Sequence, residues 1–286
     1  MTIHNPIQGA GLGLRRAMMT SDTLSPAPST SFFEVAPENW IRVGGRYGER
    51  LKQLSERVPL IAHGLSLSIG GMGPLNRELV YSVKQFLKDY QISIYSEHLS
   101  FTDDGGQLYE LLPLPFTDEA VRYVSARIRQ TQDMLETTLA LENVSYYLTP
   151  GPASQQPMGE AEFINAVLDE ADCELLLDIN NVFVNSVNHH YDPIAFIDKM
   201  PAERIRYYHV AGHFVENDGL IIDTHGADVI DPVWELLGYT YRNKGTRPTL
   251  LERDFNIPAT EALAAELAII SRLQQEVYGY ERHRVA

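Results

Sequence analysis

The amino-acid sequence predicts an α/β protein built as a (β/α)8 barrel, on three observations. Eight short apolar or β-branched runs recur along the chain, segments of helical period lie between most of them, and 286 residues suit one such barrel from end to end. A doubly wound open sheet is the competing architecture, and it usually carries a glycine-rich phosphate turn. The stretch "GLSLSIGG" (64–71) has its glycines at neither dinucleotide nor P-loop spacing. The expectation is therefore one barrel domain over 1–286.

The first run, "GLGLR" (11–15), leads through the loop-like "SPAPSTS" (25–31) to the second, "FFEVA" (32–36). The third, "PLIAHG" (59–64), precedes "NRELVYSVKQFLKDY", where Leu79, Val80, Val83, Phe86 and Leu87 form a helical stripe. The fourth run is "ISIYSEH" (92–98). It is followed by "DEAVRYVSARIRQTQDMLE", with Val121, Val124, Ile128 and Leu135 on one face. "LALENV" (139–144), "CELLLDI" (173–179), "IRYYHVA" (205–211) and "PTLLERD" (248–254) complete the eight. The last connection is long and carries "VENDGLIIDTHG". The final "TEALAAELAIISRLQQEVYGY" predicts a closing helix with Thr260 as N-cap.

Composition excludes several roles. A net charge of −15 argues against a nonspecific nucleic-acid surface, which needs clustered Lys and Arg, while leaving room for a basic peptide partner. No run approaches the ~18 apolar residues of a membrane span, and the N-terminus lacks the pattern of a signal peptide. Cys173 is the single cysteine, so neither an intramolecular disulfide nor a thiolate metal cluster is available, and a reducing cytoplasm is the expected location. Cys173 opens an apolar run and reads as packing.

Polar residues collect at the ends of these runs. His63, His98, Glu142, Asp178, His209 and Glu252 stand at or near the ends of runs three to eight, and Asp223 and His225 follow in the last connection. In a barrel the strand C-termini converge on one face, where active sites lie. That many carboxylates gathered at a mouth would repel one another and raise their pKa values, whereas cations favour ionised carboxylates and neutral imidazoles together. The set is richer than one ion needs, which points to two or three ions. It holds only N and O donors, which suits Fe, Mn or Zn. Asp223 and His225, two apart in an extended loop, would point the same way. "YYHVAGH" places His209 and His213 at helical spacing. The run before it reads as a strand, so His209 is a strand-end ligand and His213 lies beyond it.

In order and spacing, "HGLSLSIGG", "YSEHLSF", "ALENVSYY", "LLLDINNVFVNS", "YYHVAGH", "DTHG" and "LLERD" resemble the multinuclear non-heme iron-dependent oxidative enzymes, from about Gly11 to Asn256. The resemblance implies a TIM barrel of the xylose isomerase-like group holding two or three iron ions (Fe2+/Fe3+). It also implies O2-dependent modification of cysteine residues in a ribosomally made precursor peptide, giving oxazolone–thioamide or thiooxazole products. A separate partner protein would recognise the peptide. The barrel is also similar to that of the three-zinc apurinic-site endonucleases. By strand position His63, His98, Glu142, Asp178, His209, Asp223, His225 and Glu252 match that ligand pattern, with Asn181 standing where those enzymes carry histidine. By their place beside the expected ligands, His213 and Asn143 are the catalytic candidates. Glu34, Asn39, Glu97 and Asn180 are candidates for supporting or substrate contacts. A zinc or manganese hydrolase or isomerase, and a non-catalytic metal-binding protein, are the alternatives.

Overall fold

The computed structural model describes residues 7–19, 30–103, 106–148 and 157–285; most of the "SPAPSTS" loop lies outside them. Eight parallel strands form a closed barrel: β1 (Ala10–Gly13), β2 (Phe32–Val35), β3 (Leu60–His63), β4 (Tyr95–His98), β5 (Leu139–Glu142), β6 (Glu174–Asp178), β7 (Ile205–Ala211) and β8 (Thr249–Glu252). They follow one another around the barrel in chain order, and β1 pairs with both β2 and β8 to close it. Each observed strand lies within or close to one of the eight runs. The fourth run enters the sheet only at Tyr95.

Side chains alternate across each strand, so residues two apart share a face. The outward set, including Phe33, Leu60, Leu141, Leu177, Val210 and Leu251, joins the helices in one apolar core. The inward set forms a second, smaller cluster of Phe32, Ile61, Ile94, Ala140, Leu176, Tyr207 and Leu250. On β1 the position in register with Phe32 and Leu250 is Gly11. A Cβ there would lie 2.3 Å from the Phe32 ring, so the missing side chain is what lets that ring fill the barrel.

The surrounding helices are α1 (Gly45–Ser55), α2 (Arg77–Asp89), α3 (Asp118–Leu135), α4 (Glu160–Ala171), α5 (Ile179–His189), α6 (Pro193–Lys199), α7 (Asp231–Lys244) and α8 (Thr260–Val285). The predicted stripes of α2 and α3 are the faces they bury. Asn76 and Thr117 cap these helices by accepting from the N–H of Leu79 and Ala120. One cap differs from expectation. Thr260 is already helical, and the Ala259 carbonyl accepts from Ala262 and Leu263, so the helix starts one residue earlier than an N-cap threonine requires. Two antiparallel hairpins escape the strand reading. Ser100–Asp103 pairs with Gln107–Pro113 after β4, and Phe214–Val215 pairs with Ile221–Ile222 after β7. Among the described residues, no helix is long and apolar enough to cross a membrane.

Gly11→Ala should destabilise the fold by roughly 1–3 kcal/mol, because the added methyl meets a ring with no room to retreat. A thermal melt reads this directly, and an unchanged midpoint would contradict the packing of this layer.

Candidate metal centre

Two residues beyond the apolar layer, the same inward face carries Glu34, His63, Ser96, Glu142, Asp178, His209 and Glu252. A polar ring thus sits directly on an apolar floor at the strand C-termini. All seven residues are buried. His98, two beyond Ser96, and the loop residues Asp223 and His225 add to the ring from above.

Three groups of side chains here offer donor atoms within 4.8 Å of one another: His63, His98 and Glu142; Glu142, Asp178 and His209; and His225, Glu252 and Asp254. Glu142 belongs to the first two. Glu252 links the second to the third, its Oε2 lying 3.2 Å from His209 Nδ1 and 3.5 Å from His225 Nδ1. Donors bound about 2.1 Å from one ion stand roughly 3.0 Å apart along octahedral edges and roughly 3.4 Å along tetrahedral ones. In the first group, His63 Nε2 lies 3.1 Å from both His98 Nε2 and Glu142 Oε2, and the third side is 3.3 Å. The donors are therefore spaced as ligands of a shared ion. Asp178 Oδ2, Asn181 Oδ1 and His209 Nδ1 are buried without a hydrogen bond. Such orphans carry a desolvation penalty that a cation would remove.

A hydrogen-bonded chain beneath the ring fixes which nitrogen each histidine presents. His63 Nδ1 contacts Ser96 Oγ at 2.7 Å, Ser96 Oγ contacts the Tyr207 hydroxyl at 2.6 Å, and that hydroxyl donates to Glu34 Oε2 at 2.8 Å. Glu34 Oε2 also lies 3.0 Å from His209 Nε2. With those atoms engaged, His63 turns Nε2 and His209 turns Nδ1 toward the donor groups. Asp178 divides its carboxylate: Oδ1 accepts from the Asn181 N–H at 2.6 Å as N-cap of α5, leaving Oδ2 facing the mouth.

The charges show how unbalanced this ring is. Burial and then the charge of Glu142 push the Asp178 carboxyl well above its ordinary range. Burial alone would lower His63, but contact with Glu142 holds it up at about 9. His98, buried beside His63, is pushed down to about 4. Burial would raise Glu142, yet His98 and His63 pull it down to about 2. His209 and His225, against the effect of burial, are held well above the usual imidazole value by Glu34 and Glu252 and by Asp223 and Glu252 respectively. A carboxyl pushed up by a neighbouring carboxylate, among imidazoles held up by carboxylates, describes a site short of cations. The residues present fit metal ions.

The remaining predicted residues fall into different places. Asn181 donates from Nδ2 to Glu142 Oε1 at 3.2 Å and to the Asn143 carbonyl at 3.0 Å. Asn143, predicted as catalytic, gives both ends of its amide to the Asp178 backbone, at 2.8 and 3.0 Å. It ties β5 to β6 and presents no free polar atom to the mouth. Asp223 Oδ1 accepts from Asn180 Nδ2 at 2.7 Å and lies 2.7 Å from His225 Nε2. The two loop residues meet through a left-handed backbone at His225 (φ 49°), not through an extended segment. His213 places Nδ1 2.8 Å from Asn180 Oδ1 and stacks on Phe183. Gly212 before it passes so close to the loop that a Cβ would lie 2.0 Å from the Ala227 carbonyl.

Two expectations are corrected. Asn39 is exposed on the turn Pro37–Asn39 and offers only its carbonyl, to Arg16. Glu97 points to the outer face of β4, where it accepts from the Tyr95 hydroxyl at 2.5 Å and where burial lifts it to about 8. It lies behind the strand that carries His98, because neighbouring residues on a strand face opposite ways. Asp254 and Arg15 are two site residues the reading of strand ends passed over. Both lie within quoted runs and two residues beyond an inward position, which is the signal that finds them. Cys173 is buried at the start of the run that ends in Asp178, with its thiol pushed by burial to about 12.

A family profile described as RiPP precursor modification enzyme MbnB/TglH/ChrH matches residues 9–275. A UPF0276 protein of Alcanivorax borkumensis is 55% identical over 96% of this chain and 94% of its own length. One from Pseudomonas aeruginosa is 52% identical over 94% and 93%. Among solved structures, a D-tagatose 3-epimerase-like protein superposes with TM-score 0.61 at 14% identity, covering 98% of this chain and 100% of that one. A xylose isomerase domain protein from Planctomyces limnophilus gives 0.60 at 12% identity, covering 96% and 99%. These likenesses establish the fold as a xylose isomerase-like TIM barrel.

The metal-free protein should show His63 titrating near 9, and Glu142→Gln should drop that value below the ordinary 6.5, read by histidine proton NMR. Because the folded value is raised, protonated His63 stabilises the metal-free fold below pH 6.5. That contribution is lost as pH rises through about 9. A metal-free melting midpoint that does not fall across this window would contradict the assignment.

Proposed function

The chain belongs to the MbnB/TglH/ChrH family of RiPP precursor modification enzymes, and we propose that it is a multinuclear iron-dependent oxidase acting on cysteine residues of a ribosomally made precursor peptide. The observation that carries this reading is the run of three donor groups, linked by Glu142 and Glu252, on a dry apolar floor. Its N and O donors suit Fe(II) and Fe(III). When bound, iron would supply the activation of O2 and the one-electron oxidations that no side chain of this chain can perform.

The protein's own residues would hold, orient and move protons. His63, His98, Glu142, Asp178, Asn181, His209, Asp223, His225 and Glu252, with Asp254 beside them, hold the ions. Glu34, Ser96 and Tyr207 keep the imidazoles in the required tautomer. His213, whose Nδ1 faces Asn180, keeps Nε2 for substrate, and burial lowers its pKa, so the ring is a neutral proton acceptor at pH 7. A peptide would land on the loops around the mouth, where Met72, Leu148, Phe214, Val215 and Phe255 are exposed. These follow β3, β5, β7 and β8, so they surround the metal groups on several sides. A separate protein would present the peptide's leader segment.

Anaerobic purification, metal analysis and Mössbauer spectroscopy test the metal, and O2-dependent mass change in cysteine-containing peptides encoded beside the gene tests the reaction. Two or three irons and a change confined to cysteine are expected. A preparation holding only zinc, and inert after iron loading under O2, would defeat the proposal in favour of a zinc hydrolase or isomerase. His213→Ala should slow turnover by roughly 100-fold or more while leaving the iron count intact; a lost ion instead would make His213 a ligand.

A further inference from the structure

The third donor group differs from the other two in having a cation of the protein's own beside it. On β1 the inward positions are Gly11, Gly13 and then Arg15. Gly13 contributes no side chain to the polar ring, and Arg15 folds back over the space, its guanidinium 3.4–3.5 Å from where a Cβ on Gly13 would stand. Arg15 Nη2 pairs with Asp254 Oδ1 and lies 3.8 Å from Glu252 Oε1, and its Nε donates to the Arg253 carbonyl at 3.2 Å. Asp254 Oδ2, on the other side of the same carboxylate, is 3.2 Å from His225 Nδ1. The guanidinium therefore holds one oxygen of Asp254 and stands close to Glu252, two of the three ligands this group offers. Its side chain is 28% exposed, against 13% or less for the ligands of the two inner groups.

Charge decides how many ions the mouth requires. Six carboxylates face it: Glu34, Glu142, Asp178, Asp223, Glu252 and Asp254. Two divalent ions and one guanidinium supply five positive charges against these six, and a third divalent ion, with the guanidinium still in place, brings the total to seven. Arginine is always protonated, so this charge cannot be released to make way for an ion. We propose that Arg15 is the resident cation of the outermost position, so that the chain holds two ions tightly in the inner groups and a third only weakly at His225, Glu252 and Asp254. This makes Arg15 a determinant of metal number. It rests on reading the mouth as a metal centre, but not on iron or a peptide.

Stepwise Co(II) titration of the metal-free protein under nitrogen, with bound ions counted after equilibrium dialysis, tests the assignment. Wild type should take up two ions and then a third at least ~10-fold more weakly. Arg15→Gln and Arg15→Met, which remove the charge in two different shapes, should each tighten the third step by ~10-fold or more. Arg15→Lys should resemble wild type. Three equally tight ions in wild type overturn the proposal without any variant. A third step left unchanged in the neutral variants overturns it too. A weakened one does the same, because Arg15 would then only prop Asp254 in place. With cobalt as probe and no peptide present, failure here leaves the iron-oxidase reading standing. A zinc-only preparation would, conversely, leave this one untouched.

Discussion

Everything at the mouth of this barrel follows from one electrostatic constraint. Carboxylates and imidazoles are packed together out of water, and the protein's own cations are too few to balance them. Opposite charges in such a place attract strongly, but each pays for leaving water, and an excess of one sign has no remedy except protonation or an ion from outside. The Asp178 carboxyl pushed up by burial and by Glu142, and the His63, His209 and His225 imidazoles held up by neighbouring carboxylates, mark the protonation remedy. A metal ion reverses each of those states at once, which is why binding and proton release are inseparable here.

The fold makes the constraint possible by dividing each strand's inward face at a single step. Below the step lie Phe32, Ile61, Ile94, Ala140, Leu176, Tyr207 and Leu250; above it stand the candidate ligands and their supports. Tyr207 belongs to both levels, with its ring in the apolar layer and its hydroxyl reaching Ser96 and Glu34. That one side chain anchors the hydrogen-bonded chain that sets the tautomers of His63 and His209. Asn143, through its paired bonds to Asp178, fixes the relative height of β5 and β6, and so the distance between two of the carboxylates.

Much of this was legible in the sequence, and the omissions have definite causes. The eight runs located the strands because parallel strands buried on both faces read as continuous apolar stretches. His63, Glu142, Asp178, His209 and Glu252 stood out as polar residues closing such stretches. Ser96 did not, and Tyr207 read as packing with only an open chance that it or Tyr208 faced the pocket, since such residues inside a strand look ordinary until their partners are in place. Arg15 and Asp254 lie past the strand ends, where the two-residue alternation continues without an apolar run to mark it. The roles of Asn143 and Glu97 depended on which way a side chain turned. Asn143 turned toward a neighbouring backbone, which spacing does not encode, whereas Glu97 turned to the outer face of β4, as its place beside His98 requires. The two hairpins lie outside the eight runs because their short strands pair only with each other, and the Asp-Asp-Gly-Gly stretch (103–106) is the turn signal that finds the first.

Cys173 lies at the opposite end of β6 from Asp178. Four residues of strand lie between them, roughly 16 Å of extended chain across the apolar layer. Its thiol is fully buried and kept protonated far above neutrality. For a catalyst of the proposed kind, whose target is a cysteine side chain, the enzyme's one thiol is thus kept both out of reach and in its unreactive form. The housing is inert toward the reaction it would contain, and an oxidant escaping the mouth would meet no exposed sulfhydryl on the chain that made it.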